Sequence, residues 1–291
     1  MYMASRRSRN CINNMNESGA YDPEWVTGYY NRYGDREWER FSHGPVDMVS
    51  LFIHTHYLQQ FVKPKSRVLD VGAGPGRFTQ VLAEMGCRVV VSDISSVQLE
   101  LHRKHAHELG FDDSVEARLQ LDMCDLSCFD SESFDAVVCY GGPLSYVFDR
   151  APGALEECVR VCKRGGHVLV SVMSLWGAVH RYLRGVLEVP PESNRKITDT
   201  GDLTAENWAG ASHYCHMFRS VELRQLAERA ALAVVALSAS NCLSTVWEDV
   251  LREAAEDPAK WQELLRMELV ACSEEGCLDT GTHIILVGRR D

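Results

Sequence analysis

The chain has 291 residues, 45% of them hydrophobic and 24% charged, which supplies a sizeable core and excludes the disordered and fibrous classes. Its formal net charge of −11 argues against nucleic acid as the main partner, because that affinity is built from clustered Lys and Arg. No apolar run approaches the roughly 20 residues of a spanning helix. The polar start "MYMASRRSRNCINN" lacks the apolar centre of a signal peptide, so the expectation is a cytoplasmic protein without a membrane partner. Eleven scattered cysteines are expected as thiols. The pairs Cys124/Cys128, Cys158/Cys162 and Cys272/Cys277 lack the doubled spacing of a structural zinc site, so no metal is expected.

Residues 1–20 show no periodicity and are expected to be disordered. Within 21–62, Asp22 before Pro23 and Asp35 after Gly34 signal two short helices. A longer helix follows in "GPVDMVSLFIHTHYLQQFV" and stops at Pro64. Short apolar runs then alternate with helical stretches, the pattern of strand–helix–strand units in a parallel sheet. Strands are expected at 67–72, 88–93, 116–122, 134–140 and 167–172. The helices between them end at Gly86, Gly110 and Gly165–Gly166. The alternation breaks at Leu175, and the polar insertion 176–216 is expected to cap a functional site. A helix at "SVELRQLAERAAL", a strand at "AVVALSAS", a helix opened by Asp257 and Pro258, and a last strand at "THIILVGRR" complete the chain.

The stretch "VLDVGAGPGRFT" carries three glycines where the first strand ends. Side chains at Gly72, Gly74 and Gly76 would obstruct a ligand lying against this turn, which also brings the amides of a helix N-terminus to that ligand. Asp93 ends the second strand, placed to accept both hydroxyls of a ribose. Asp122 ends the third, placed to accept from an adenine amine while Met123 packs on the ring. Arg77 stands where the dinucleotide fingerprint needs glycine, and no phosphate-cradling loop with Lys occurs. Asp70 beside the turn suits an α-ammonium group better than a pyrophosphate.

Together "VLDVGAGPGRFT", "VVVSDIS", "LQLDMCDLS" and "FDAVVCYGGPLSYV" resemble the ordered motifs of the class I S-adenosylmethionine-dependent methyltransferases over residues 60 to 175. The resemblance implies an α/β, Rossmann-like doubly wound fold: a seven-stranded sheet with the last strand antiparallel beside the fifth, an N-terminal helical lid at 21–62, and a cofactor domain made of 63–175 and 217–291. It implies S-adenosyl-L-methionine as cofactor and S-adenosyl-L-homocysteine as product. By resemblance Asp70, Gly72, Ala73, Gly74 and Gly76 hold the methionine end, Asp93 with Ile94 the ribose, Asp122 and Met123 the adenine, and Tyr140 with Gly141 the edge of the fourth strand.

After that strand the chain reads "CYGGPLSY", not the Asn/Asp-Pro-Pro-aromatic run of members acting on amino groups of DNA or protein glutamine. With the acidic charge, this favours a small-molecule acceptor at an O, N or C atom, as in secondary metabolism. Two other readings stay open, a non-catalytic regulatory binding module and a nucleic-acid methyltransferase. Tyr30 and Arg40 are candidates to shield the sulfonium and neutralise a carboxylate, while Trp38 and Phe41 either join them or merely pin the helices down. His213 and His216 read either as a base for a hydroxyl acceptor or as structural histidines. The histidines of "HRKHAHELG" read as a solvated face.

Overall fold

A computed structural model describes residues 20–41 and 44–291; the expectation for residues 1–19 lies outside the described residues. Helices α1 (Pro23–Tyr33), α2 (Arg36–Glu39) and α3 (Pro45–Phe61) precede the sheet. Asp22 caps α1, its carboxylate accepting from the amides of Glu24 and Trp25, with Pro23 preset for the first turn. Asp35 makes no such cap bond. Its carboxylate faces His105 Nε2 at 3.0 Å instead.

The alternating core follows as β1 (Arg67–Val71), α4 (Arg77–Glu84), β2 (Arg88–Asp93), α5 (Ser96–Glu108), β3 (Val115–Gln120), β4 (Phe134–Cys139), α6 (Ala151–Val161) and β5 (Cys162–Met173). After β5 the insertion folds as α7 (Leu175–Arg181), α8 (Leu183–Val186), α9 (Pro191–Thr200) and a two-stranded ladder of β6 (Asp202–Leu203) and β7 (Cys215–His216). The tail is α10 (Ser220–Arg229), β8 (Leu232–Ala239), α11 (Glu248–Ala255), α12 (Pro258–Ser273) and β9 (His283–Arg290). The sequence pattern did not reveal α11, a short amphipathic helix directly before the cap that opens α12.

The seven-stranded sheet has the order β3-β2-β1-β4-β5-β9-β8. β1 to β5 pair in parallel, and β9 runs antiparallel to both β5 and β8. The last strand is therefore antiparallel and lies beside the fifth, as the resemblance implied. Strand order reverses between β1 and β4, opening the crevice at the carboxyl ends where open α/β sheets bind ligands. Because β9 is reversed, its first residue, His283, shares that edge. Both faces of the sheet are covered, so the central strands carry continuous apolar runs. Leu69, Val137 and Val170 pack toward α6 and α10, whereas Val68, Val138 and Leu169 pack toward α3, α4 and α12.

The insertion is tied to the sheet at the start of α7. A Cβ on Gly177 would lie 1.6 Å from the carbonyl oxygen of Gly281, so helix backbone and the turn before β9 touch with no room for a methyl group. Gly177→Ala is expected to lower unfolding stability by at least about 3 kcal/mol, the upper end for overpacking, read as a lower midpoint in urea. An unchanged midpoint would show that this contact is not closed.

Candidate functional site

The glycine turn is built as a bare strand-to-helix bend. Gly72, Gly74 and Gly76 have φ of +64°, +54° and +98°, a region that side-chain-bearing residues rarely adopt. A Cβ on Gly72 would meet Pro143 Cγ at 2.4 Å. A Cβ on Gly76 would meet the His102 ring at 2.8 Å. The amides of the turn itself are bonded within the protein: Ala73 N–H donates to Ser92 O, Gly76 N–H to Ala73 O, and Gly74 N–H to Asp93 Oδ2 at 2.8 Å.

Asp93 is buried, and its other oxygen accepts from Ser95 N–H at 2.8 Å. Burial raises the Asp93 pKa to about 6, against the pull of the Ser95 and Gly74 amides. Each carboxylate oxygen keeps a lone pair, so the pair can take two vicinal hydroxyls. Across the same cavity Asp122 Oδ1 accepts from Cys124 N–H at 2.8 Å and Met123 is buried. The cavity has an empty volume of about 760 Å³ counting its mouth. Gly72, Ala73, Gly74, Asp93, Ile94, Asp122, Met123, Tyr140, Gly141, Tyr30 and Arg40 all line it.

Two expected contacts are corrected. Asp70 and Gly76 do not line the cavity. Asp70 is buried beneath the turn and accepts the Thr79 hydroxyl at 2.6 Å, and burial lifts its pKa to about 7. With that proton committed, Thr79 Oγ1 accepts from His102 Nε2 at 3.0 Å, and His102 Nδ1 accepts from Arg118 Nε at 3.0 Å. Burial and Arg118 together hold the His102 pKa down at about 3, which keeps the ring neutral as this chain of bonds requires. Asp70 thus fastens β1 to α4 and α5 rather than meeting an ammonium. The same network overturns the solvated-face reading of "HRKHAHELG": His102 and His105 are buried.

The N-terminal helices close the cavity. Arg40 Nη2 pairs with Glu37 Oε1 at 2.8 Å, and Arg40 Nη1 donates to Gly141 O at 3.2 Å, so the guanidinium pins α2 to the tip of β4. Its charge is already answered by Glu37, which removes the expected role of neutralising a ligand carboxylate. Tyr30, Glu37, Arg40 and Tyr146 line both this cavity and a second one, of about 1080 Å³ empty volume with its mouth. The insertion supplies the far wall.

His213 reaches this second cavity. Tyr29 Oη lies 2.9 Å from His213 Nδ1 and Tyr146 Oη lies 3.0 Å from Nε2. Burial and the Arg40 charge lower its pKa to about 4, so the ring is neutral and both nitrogens are committed. His216 lines neither cavity. Its nitrogens bond Asp202 Oδ1 at 2.7 Å and Glu222 Oε1 at 2.8 Å. Burial opposes the charge, but the two carboxylates outweigh it and raise the pKa to about 9. A cation fixed between two carboxylates is no base, so the reading of His216 as catalytic is corrected to a clasp between β6, β7 and α10.

Glu37, Tyr146 and His283 were missed as site residues. Tyr146 stood three residues after Pro143 in a quoted motif, and His283 opens a strand whose reversal puts it on the ligand edge. No local pattern pointed to Glu37. Among the described residues, no group of three His, Cys, Asp or Glu is placed to hold a metal, and no helix is long and apolar enough to cross a membrane.

The site is a cavity at the switch point of an open α/β sheet, sharing a wall with a second cavity. The family described as "Methyltransferase domain" matches residues 68–166. A ubiquinone biosynthesis O-methyltransferase from Alkalilimnicola ehrlichii is 38% identical over 109 residues, covering 37% of this chain and 42% of that protein. A demethylmenaquinone methyltransferase from Clavibacter sepedonicus is 39% identical over 108 residues, covering 37% and 41%. The matches thus span about two fifths of these curated relatives. Among solved structures, the [4+2]-cyclase SpnF superposes with a TM-score of 0.60 at 18% identity, covering 94% of this chain and 99% of that one. A putative methyltransferase in complex with the Haloferax volcanii Trm112 activator gives 0.56 at 19%, covering 91% and 96%. The likeness to methyltransferases in sequence thus rests on residues 68–166, and the solved structures show the same fold over most of the chain.

Asp93→Ala removes a charge-assisted bond partner, so S-adenosylhomocysteine is expected to bind roughly 10- to 150-fold more weakly by calorimetry. In the native protein the same affinity should fall as pH drops through about 6, where Asp93 takes a proton; a flat profile would remove the carboxylate from the site. For His216 the folded pKa of about 9 exceeds the ordinary 6.5. Its stabilisation is therefore complete below about pH 6.5 and is lost as pH rises through about 9. Urea unfolding of His216→Gln should differ most from the native protein at pH 6 and least above pH 9.

Proposed function

We propose that the chain transfers the methyl group of S-adenosylmethionine to a small molecule held in the second cavity. The observation that carries the reading is the shared wall: Tyr30, Glu37, Arg40 and Tyr146 face both cavities, so a group at the end of the first meets a group at the end of the second. The donor set fits the cofactor. Asp93 offers one lone pair from each oxygen toward a ribose, Asp122 and Met123 suit an adenine amine and its ring, and the bare turn at Gly72 and Gly74 admits the chain that joins them. When bound, S-adenosylmethionine supplies a methyl carbon made electrophilic by its sulfonium.

The protein's part is then positioning and dehydration. The Arg40 pair with Glu37 and the Gly141 carbonyl holds α2 against β4. Tyr29 and Tyr146, each bonded to His213, join α1 and the loop after β4 to the insertion. An aromatic-walled chamber of this kind limits the access of water to the methyl group. The curated relatives, named for ubiquinone and menaquinone biosynthesis, support a small acceptor, and the net charge of −11 supports one that is not nucleic acid. The fold alone does not dictate transfer, since one solved structure that shares it is a [4+2]-cyclase.

The test is incubation of the purified protein with S-adenosylmethionine labelled in the methyl group and a panel of small hydroxyl, amine and carbon acids. Labelled product with release of S-adenosylhomocysteine is expected. Tight binding of S-adenosylhomocysteine with no labelled product from any acceptor class would favour a binding module or a non-transferring catalyst.

A further inference from the structure

The second cavity contains a histidine that the functional reading above leaves unused. His283 is the first residue of β9 and pairs in register with Met173 of β5, and its side chain lines the cavity. Its Nε2 is buried and has no hydrogen-bond partner among the described residues. The opposite nitrogen, Nδ1, lies 3.3 Å from Thr282 Oγ1. The tautomer in which Nδ1 donates to that hydroxyl leaves Nε2 as a bare lone pair. A Cβ on Gly142 would come within 3.9 Å of Nε2, which sets this atom beside the turn after β4, where the two cavities adjoin. Burial, with the Arg40 charge and the neighbouring His54 adding to it, holds the ring well below its ordinary pKa, so the ring is uncharged and in that tautomer Nε2 is an acceptor.

The rest of the wall narrows the ligand. Tyr29, Tyr30, Tyr33, Tyr182 and Trp208 present rings to the cavity. Among the described residues that line it, the permanent charges are Arg40 and Glu37, paired with each other at 2.8 Å. An ionised ligand would lose its hydration here and find no free counter-charge among these residues, a cost that an uncharged one avoids. A buried lone pair with no partner is in turn satisfied by a ligand that brings a donor.

We infer that this cavity takes an uncharged hydroxylated aromatic molecule, its ring among the tyrosines and its hydroxyl donating to His283 Nε2. His283 is then a positioning residue for the acceptor. That last step rests on the transferase reading, whereas the binding itself does not.

The probes are naphthol, its methyl ether, naphthalene and naphthoate, titrated by calorimetry into the full chain with and without S-adenosylhomocysteine. Naphthol is expected to bind about ten-fold more tightly than either its ether or naphthalene, the scale of one buried hydrogen bond, and naphthoate more weakly than naphthol. His283→Phe should abolish the preference for naphthol over its ether while leaving naphthalene unchanged. Ala178→Trp, which fills the cavity, should weaken all of them. Equal affinity for naphthol and its ether in the native protein overturns the inference without any variant, as does a preference that survives His283→Phe. Binding of S-adenosylhomocysteine without binding of naphthol sinks the inference and leaves the transferase reading standing. Binding of naphthol without S-adenosylhomocysteine does the reverse.

Discussion

The hydrogen bond from Gly74 N–H to Asp93 Oδ2, 2.8 Å long and buried, joins the two pieces from which the rest of the site is assembled. One end is a turn whose positive φ angles only glycine adopts readily, and the other is the last residue of β2. Burying a carboxylate is costly unless its oxygens are hydrogen-bonded, and here each oxygen is met by one backbone amide. The turn therefore holds Asp93 ready for a ligand, and Asp93 holds the turn in shape. A second buried carboxylate, Asp70, supports the same turn from below through Thr79 and His102. Gly76 is bare because that histidine lies against it. Of the three glycines, then, Gly72 and Gly76 answer to packing, against Pro143 and His102.

What the sequence showed and concealed follows from the range of the interactions involved. The strands were legible because most are apolar runs bounded by glycine, proline or aspartate, and such signals are local, whereas the reversal of the last strand came from the family resemblance alone. That Asp93 ends β2 and Asp122 lies just past β3 was legible from the same local pattern. Asp70 was misplaced for a geometric reason: side chains alternate across a strand, and a residue at the ligand edge can still point under the turn. His216 and His213 were indistinguishable in sequence, three residues apart in one insertion. Their difference comes from Asp202 and Glu222 on one side and Tyr29 and Tyr146 on the other, partners separated by up to 184 residues. No local pattern encodes that separation.

Two segments far apart in the sequence, α1 and the insertion, cover the sheet edge and contact each other. Trp25 stacks on Tyr214 with centroids 4.7 Å apart, Tyr29 bonds His213, and Tyr21 N–H reaches Asp149 at 3.1 Å. Tyr29 and His213 line the second cavity, so this joint forms part of its wall. Aromatic side chains suit such a joint. They bury large area with little rotamer entropy lost, and phenol–imidazole bonds re-form without displacing ions. The His216 clasp adds a fixed ion triad that holds the ladder of β6 and β7 on α10.

The division of labour among the histidines is set by charge, and it explains why four of them near one site take different roles. Burial, with the Arg40 charge adding to it, disfavours protonation of His54, His213 and His283, so these rings are neutral. His216 escapes the same control because two carboxylates lie on it. The wall therefore offers its contents rings, lone pairs and one self-compensated ion pair, and selects by shape and hydrogen bonding in place of charge.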